Sequence, residues 1–343
     1  MIVGAYTKDF RLIAYDIPYS SLVWQRRWFD FGEFQMQVPA SVYDGSWELV
    51  MSPDMDDIGL VQRVEYSSDD GGSIIVSGLF YESVLDWGSV RKRYTKGGNV
   101  DELCADIIET FYLQTIDGMR DTYLVDVKNR KNAGIGSKYA RYNADFVGDA
   151  VGTKVNSMLE SRGLSQQVTY DGSVPKWDVR EGRDLTSQFT LSSAYGDLAD
   201  VSVVLDDSAY RNVAVLTWDD GYGRLVDPLP VKDVKGDEEL RELFDELSEA
   251  PAATDNIVTI GRELLTDYER VMDIDAVVTN YDAVGTLYDL GDILHIVIDE
   301  IGLELDTRIV EITETFGRDG RNVHVGFGNK RITNMRRMMA TWR

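Results

Sequence analysis

Short stretches in which apolar and polar residues alternate constrain the fold of this chain more than any other feature. Phe34, Met36 and Val38 are separated by single glutamines, which is the period of a strand with one buried face. Similar stretches bounded by turn residues fill residues 1–97: VGAYT, RLIAYDI, SLVWQRRWFDFGEFQMQVP, GLVQRVEYS and SIIVSGLF. Strands of this kind favour a barrel or sandwich, so we expect a first β-barrel domain at residues 1–97.

Two amphipathic helices mark a change of character after residue 97. Asn99 and Glu102 have the spacing of an N-cap and its partner, and apolar residues recur at helical spacing as far as Phe111. A second helix is expected at residues 145–162, where Gly163 is placed to end it. Strand-like stretches follow. We therefore expect an α+β middle domain at residues 98–235, whose late strands could complete the first barrel.

The next segment is strongly acidic, with seven carboxylates between residues 237 and 249. Leu240, Phe244 and Leu247 give it a narrow apolar stripe at helical spacing. Its like charges repel one another at that spacing. The pattern predicts an exposed, solvated connecting helix.

The last part of the chain returns to strand patterns. A helical stretch at residues 257–265 is followed by four strand-like stretches, and they predict that residues 236–330 contain the acidic connector and a second β-barrel domain. Residues 331–343 carry basic residues, Arg336 and Arg337 among them, against an acidic background. We expect a basic contact arm there.

One pattern occurs twice in the chain: a strand, an Asp-Gly turn and a second strand with similar outward residues. The matching segments are 64–67 (VEYS), 70–71 (DG) and 74–76 (IIV) in the first copy, and 310–313 (VEIT), 319–320 (DG) and 323–325 (VHV) in the second. Asp-Gly is a common hairpin turn. The repeat suggests a duplicated barrel.

The composition argues against several classes of function. The formal net charge of −24 disfavours a nucleic-acid-binding surface, which needs lysine and arginine to contact phosphates, although an acidic wall could serve DNA by repelling it. A single cysteine excludes an intramolecular disulfide, and two histidines cannot complete a usual zinc cluster with it. The longest apolar stretches are far shorter than a membrane span. We expect no cofactor, no metal and no transmembrane segment.

Residues that resemble known sites have simpler explanations. Asp54, Asp56, Gly59 and Glu65 match four places of a calcium-binding loop, but Ile58 stands where a further oxygen ligand is needed. No catalytic sequence motif is present, and the abundant carboxylates form pairs by chance. We therefore interpret the acidic loop as a polar turn and expect no enzyme activity.

Four further features have structural interpretations. Cys104 lies on an apolar helical stripe, and His295 and His324 alternate with apolar residues as strand residues do. The glycines of residues 134–136 lack the setting of a nucleotide-binding loop. Aromatic residues of the first domain could stack on sugars, but they are more typical of a barrel core: Trp24, Trp28, Phe29, Phe31 and Phe34.

The chain resembles the siphophage tail-hub family, and it is similar to the hub proteins at the centre of myophage baseplates. The resemblance extends from Tyr15 to about Gly328, and these stretches carry it: 21–39 (SLVWQRRWFDFGEFQMQVP), 58–65 (IGLVQRVE), 78–85 (GLFYESVL), 291–298 (GDILHIVI) and 306–312 (DTRIVEI). It implies a trimeric ring in which each chain supplies two tube-like barrels, so that six barrels match a sixfold tail tube. The expected fold is therefore α+β and mostly β, with two barrel domains around an α+β domain.

The resemblance implies a structural tail-tip hub that closes the tail tube and opens for DNA. Its expected partners are other copies of the chain, a distal tail protein, a tape-measure protein and a receptor-binding protein or tail fibre, with DNA only in transit. The N-terminus lacks a signal peptide, so we expect synthesis in the host cytoplasm and a final place in the virion. A cell-wall hydrolase and a carbohydrate-binding tip module remain alternatives.

Two sets of charged residues are the candidate site residues. Acids that could line a DNA channel are Asp273, Asp275, Asp299 and Glu314. Cations that could contact a partner are Arg26, Arg27, Arg336 and Arg337.

Overall fold

Backbone pairing gathers most of the alternating strands into one large sheet, against which smaller sheets pack. The computed structural model describes residues 1–68, 72–220, 229–234, 238–247, 250–251, 254–318 and 320–328. Over these residues the chain is mostly β with few helices, as the sequence predicts.

The first β unit is a sandwich of two sheets. Its strands are β1 (Gly4–Tyr6), β2 (Leu12–Ala14), β3 (Ser21–Arg27), β4 (Glu33–Pro39), β5 (Leu49–Met51), β6 (Ile58–Leu60), β7 (Arg63–Ser67) and β8 (Ser73–Leu79). β3, β4, β7 and β8 belong to the large sheet, and the other four form a small sheet. Leu22, Trp24, Phe34 and Met36 are buried between the two sheets, which is why these strands alternate so strictly.

A 3-10 helical turn at Tyr81–Trp87 leads into the middle domain. The domain contains β9 (Tyr94–Gly98), α1 (Val100–Ile107), β10 (Gln114–Thr115), β11 (Gly118–Met119), β12 (Tyr142–Phe146), α2 (Val151–Glu160), β13 (Ser165–Thr169) and β14 (Lys176–Arg180). α2 begins later than predicted because residues 142–146 pair with β9. Gly163 adopts a φ of 67° just beyond it, a conformation that glycine adopts without strain.

The second β unit is interrupted by an insertion. β15 (Thr190–Ser192) and β16 (Leu198–Asp206) precede the insertion, which contains β17 (Val213–Trp218), β18 (Leu229–Lys232), β19 (Glu242–Leu247) and α3 (Thr254–Thr266). The unit resumes with β20 (Val271–Val278), β21 (Ile293–Ile298), β22 (Leu303–Gly317) and β23 (Gly320–Gly328). α3 packs on β17, where its apolar side chains meet Ala214, Leu216 and Val231.

The two β units repeat one strand order in the large sheet. In the first unit the order is β3-β4-β8-β7, and in the second it is β16-β20-β23-β22. Numbered along the chain within each unit, both orders are first, second, fourth, third. The hairpins β7–β8 and β22–β23 thus occupy equivalent places, as the sequence repeat suggests, although the turn residues Asp70, Gly71 and Asp319 lie outside the described residues.

The described pairings contain no closed barrel, so the two β-barrel domains stay a prediction. β22 of the second unit pairs with β3 of the first, so the two four-stranded halves form one continuous row of eight strands. The row has a core face, which packs on the cores of both units, and an opposite face, which we call the open face. Alternation assigns side chains to the faces: Trp24 and Ile274 lie on the core face, and Gln35 and Asp275 lie on the open face.

The acidic segment differs from its predicted helix, because residues 242–247 form the strand β19. β19 lies parallel to β17, with Leu243 beside Ala214 and Leu247 beside Trp218. Pairing with an apolar strand outweighs a narrow helical stripe. The strand also keeps Glu242 and Glu246 on its exposed side.

Strand pairing crosses the predicted domain boundaries, which stay a prediction. β15 and β16 lie within the residues predicted to form the middle domain, yet they pair with β21 and β20 of the second unit and do not complete the first. The boundary at residue 235 falls inside the insertion. The insertion separates strands that are neighbours in the sheet, and a local sequence pattern does not reveal such pairing.

Cys104 tests the packing of the middle domain. Its side chain is fully buried on α1, and burial raises the pKa of its thiol, so the thiol is a poor nucleophile. We expect Cys104→Ala to lower the free energy of unfolding by about 1–2 kcal/mol and to leave the fold intact. Denaturant unfolding measures this change. Loss of tail assembly with an unchanged unfolding curve would instead indicate chemistry at the thiol.

Candidate assembly interface

The two β units meet where β22 pairs with β3. The pairing is antiparallel over residues 311–316 of β22 and 22–27 of β3. Successive side chains of β3 point to opposite faces of the sheet. Arg26 and Arg27, two of the predicted interface residues, therefore enter different environments.

Arg26 lies on the core face and is almost fully buried, with 11% of its side chain exposed. It contacts Asp289 at 3.0 Å and Glu314 at 3.6 Å, both from the second unit. Burial lowers the pKa of Arg26, but the carboxylates of Asp289, Asp57 and Glu314 outweigh burial and raise the pKa above its ordinary value. Arg26 therefore serves an interface inside the chain.

Arg27 lies on the open face, where oxygen atoms surround its guanidinium group. Its Nη2 donates to Gln25 Oε1 and to Glu33 Oε1, each at 2.6 Å. Its Nη1 donates to the carbonyl of Phe31 at 3.0 Å, and its Nε lies 3.4 Å from Glu311 Oε2. With most of its donors engaged, Arg27 has little capacity left for another anion.

Trp28 joins all three parts of the chain directly after β3. Its indole Nε1 donates to the carbonyl of Gly163 in the middle domain at 3.2 Å. Its ring packs on Gly291 of the second unit, where a Cβ would lie 2.2 Å from the ring and where φ is +93°. The guanidinium groups of Arg180 and Arg308 lie 5.2 and 5.6 Å from the ring centre. Only glycine fits at residue 291.

A cleft of about 560 Å³ lies beside this junction, and its walls carry both signs of charge. Arg26 and Arg180 face Asp54, Asp56 and Asp57 across it. Among the described residues, no group of histidine, cysteine and acidic side chains could hold a metal ion. Two of the residues that resemble a calcium loop, Asp54 and Asp56, thus line a mixed-charge cleft.

Both ends of the eight-stranded row are open edges. Among the described strands, β7 pairs only with β8, and β16 pairs only with β20 within this row. Three apolar side chains near these edges are exposed: Val64 (42%), Tyr66 (67%) and Leu205 (60%). All three lie on the core-face side of their strands, so each unit has an uncovered apolar margin.

The four predicted channel acids fall in different places. Asp273 and Asp275 lie on the open face of β20, but Asp273 is buried and Asp275 is half-buried. Glu314 is buried on the core face, where Arg26 and Arg321 contact it. Asp299 is exposed in the turn after β21, outside the eight strands. Arg336 and Arg337, the other predicted interface residues, lie outside the described residues.

Comparisons with known proteins assign the chain to a protein family. The family described as Siphovirus ReqiPepy6 Gp37-like protein matches residues 3–329. The chain belongs to this siphovirus family. No curated protein matches it.

Solved tail proteins share the fold of this family member. A prophage tail protein from Listeria monocytogenes aligns with a TM-score of 0.59 at 12% identity, covering 98% of this chain and 97% of its own. A tail protein from Neisseria meningitidis gives 0.60 at 14% identity and 95% coverage of both chains. The prophage MuSo2 tail protein from Shewanella oneidensis gives 0.61 at 13% identity, with 95% and 97% coverage. The chain thus shares the fold of these three tail proteins, and its family is not known as enzymatic.

The structure bears on the predicted sugar-binding alternative, on His295 and on the expected absence of a transmembrane segment. Trp24, Trp28 and Phe34 are buried, so they form no exposed sugar-binding platform. Both ring nitrogens of His295 lie near carboxylates: 2.7 Å from Asp306 and 3.1 Å from Glu304. These hydrogen bonds raise the pKa of His295. In the part of the chain that the structure describes, no helix is long and apolar enough to cross a membrane.

Glu82 makes the stability of the fold depend on pH. Its side chain is buried, and burial, reinforced by Asp57, raises its pKa from 4.5 to about 8. The folded state therefore holds a proton that the unfolded state releases, and the free energy of unfolding falls as pH rises from about 4.5 to about 8.

Glu82→Gln keeps the shape of the side chain and removes its charge. We expect the variant to match the wild type near pH 4 and to exceed its free energy of unfolding near pH 8 by more than about 1 kcal/mol. Denaturant unfolding at the two pH values measures the difference, and Glu102→Gln, at an exposed position of α1, is the control. Parallel pH profiles for Glu82→Gln and the wild type would contradict the assignment.

Proposed function

We propose that this chain is the structural hub subunit of a phage tail tip, and that three copies form a ring that closes the tail tube. The observation that carries the proposal is the repeated strand order of the large sheet. Inside one chain, the third strand of the second unit (β22) pairs with the first strand of the first unit (β3). The two open edges are formed by the strands that correspond to β22 and β3. β7, like β22, is the third strand of its unit, and β16, like β3, is the first strand of its unit.

β7 of one copy can therefore pair with β16 of the next as β22 pairs with β3. This is a head-to-tail contact, and such contacts close into a ring when the rotation between copies permits it. Three copies would supply six β units, the number that the resemblance to tail hubs implies. The exposed Val64, Tyr66 and Leu205 would lie at this contact, where a neighbouring copy would cover them.

The open face has the properties that passing DNA requires of a channel wall. Lysine is absent from the eight strands of the row, and the open face of its described residues carries two arginines that already contact acids: Arg27 as described above, and Arg63 at 2.9 Å from Glu65. Neutral polar residues cover much of the rest: Gln25, Gln35, Gln37, Ser77, Thr313, Thr315 and Asn322. Arg63 is the more exposed of the two arginines, and a wall with so few cations releases few counterions from DNA and binds it weakly.

The proposed ring lies in the virion, at the tip of the tail. A distal tail protein above it, a tape-measure protein in the tube and a receptor-binding protein or fibre below it are the proposed partners. Contact with a host would shift the ring toward an open state for DNA passage. We propose that the β7–β16 contacts between copies change during opening, because the β22–β3 contact is part of the folded chain.

A lysine at the open edge should prevent ring formation. Leu205→Lys adds a charge that a neighbouring copy would bury, and because Leu205 is 60% exposed the single chain should remain stable. We expect wild-type protein to reach the mass of three chains at high concentration and the variant to remain a single chain, as measured by sedimentation. Ile301→Lys, at a residue that is 59% exposed and outside the edges, is the matched control. Equal assembly of the two variants would refute the β7–β16 contact.

A lysine on the open face should make the ring bind DNA. We expect Asp275→Lys to raise the affinity of assembled rings for DNA about threefold to tenfold and to steepen its salt dependence, because each ring gains three cations. Fluorescence anisotropy at several salt concentrations measures both effects. Asp299→Lys changes the same charge outside the eight strands and should have little effect. Similar affinities for the two variants would show that the open face does not line the channel.

A further inference from the structure

One face of the insertion's sheet has an exposed apolar centre, although Val213 and Thr217, near the two ends of β17, are buried on the same face. α3 packs on one face of this sheet, through Ala214 and Leu216. On the opposite face, Val215 is flanked by Pro230 on β18 and by Phe244 on β19. Phe244 is 59% exposed and Pro230 is exposed as well. We call this surface the outer face of the insertion.

Negative charge borders the outer face on the side of β19. Glu242 and Glu246 lie two residues to either side of Phe244, and all three project from the same side of the strand. Both glutamates are exposed, and neither contacts a cation among the described residues. Lys232 lies on the far strand, β18. A ligand for this face therefore needs apolar side chains and an excess of positive charge.

The last residues of the chain have this composition. Residues 329–343 read NKRITNMRRMMATWR, with five basic residues and no acid. The segment also carries large apolar side chains: Ile332, Met335, Met338, Met339 and Trp342. Its charge and its apolar content both complement the outer face.

The point at which the chain leaves the sheet favours binding within one molecule. Gly328, the last residue of β23, is paired with Asp273. Arg270 lies three residues before Asp273 and contacts Glu238 at 3.1 Å. Glu238 lies four residues before the start of β19. Fifteen extended residues reach about 50 Å, and β19 is about 20 Å long. The arm therefore starts beside the base of β19 and has length to spare.

We propose that residues 329–343 bind the outer face of the insertion in the same chain. Arg336 and Arg337 pair with Glu242 and Glu246, and apolar residues of the arm cover Phe244. The short connection gives the arm a high effective concentration at this face. In the proposed ring, a free arm would offer five cations to passing DNA, and binding to the outer face would keep these cations away from the DNA. The proposal does not depend on ring formation.

Photocrosslinking of the full-length chain tests the proposal. Benzoylphenylalanine in place of Phe244 should crosslink to residues 329–343 of the same chain, and mass spectrometry locates the link. The same group at Tyr195, which is 86% exposed elsewhere, should not reach the arm. Arg336→Glu with Arg337→Glu should lower the yield at residue 244 about fivefold, as expected for two surface ion pairs. Adding Glu242→Lys and Glu246→Lys should restore it.

Each alternative outcome overturns the proposal. Absence of arm crosslinks at residue 244, or equal yields at residues 244 and 195, would mean that the outer face does not bind the arm. Links to the arm of a second copy whose yield rises with protein concentration would transfer the contact to a neighbouring molecule. A yield that the charge reversals leave unchanged would exclude the ion pairs. Sedimentation of the same variants reports ring formation separately.

Discussion

The pairing of β22 with β3 holds the rest of the structure in place. It joins the two β units into one row of eight strands, and it places Trp28 where the first unit, the second unit and the middle domain meet. The ring of Trp28 leaves no room for a side chain at Gly291. The β22–β3 pairing also buries Arg26, which contacts Asp289 and Glu314. A buried ion pair that loses one partner leaves an isolated charge, which is energetically costly. Separation of the two units is therefore unfavourable.

The alternation of β3 gives one short segment two tasks. On the core face, Trp24 and Arg26 contribute to the cores and to the junction between the units. On the open face, Arg27 is held by Gln25, Glu33 and Glu311. A shift of the pairing by one residue would exchange the two faces, which would bury Arg27 without its partners and expose Trp24. The same register therefore sets the packing of the core and the chemistry of the open face.

Sequence patterns predicted what is local and missed what depends on distant pairing. The period-two alternation around Phe34 identified a core, and the repeat at residues 64–76 and 310–325 identified equivalent hairpins. The acidic strand β19 was beyond such reasoning, because its partner β17 precedes it by about thirty residues and supplies the apolar contacts. Glu314 was proposed for a channel wall, although the strand register turns it toward Arg26. Charge alone does not tell the core face from the open face.

The chemistry of the internal junction differs from that of the open edges, and the difference fits their tasks. The junction forms once, as the chain folds, and it contains a buried ion pair, Arg26 with Glu314, that is costly to separate. The open edges instead present backbone hydrogen-bonding groups and a few apolar side chains, Val64, Tyr66 and Leu205 among them. Contacts of this kind stabilise an assembly roughly in proportion to the apolar area that they bury. They leave no isolated buried charge when they separate. In the proposed ring, the contacts between copies would therefore separate more easily than the junction inside each chain.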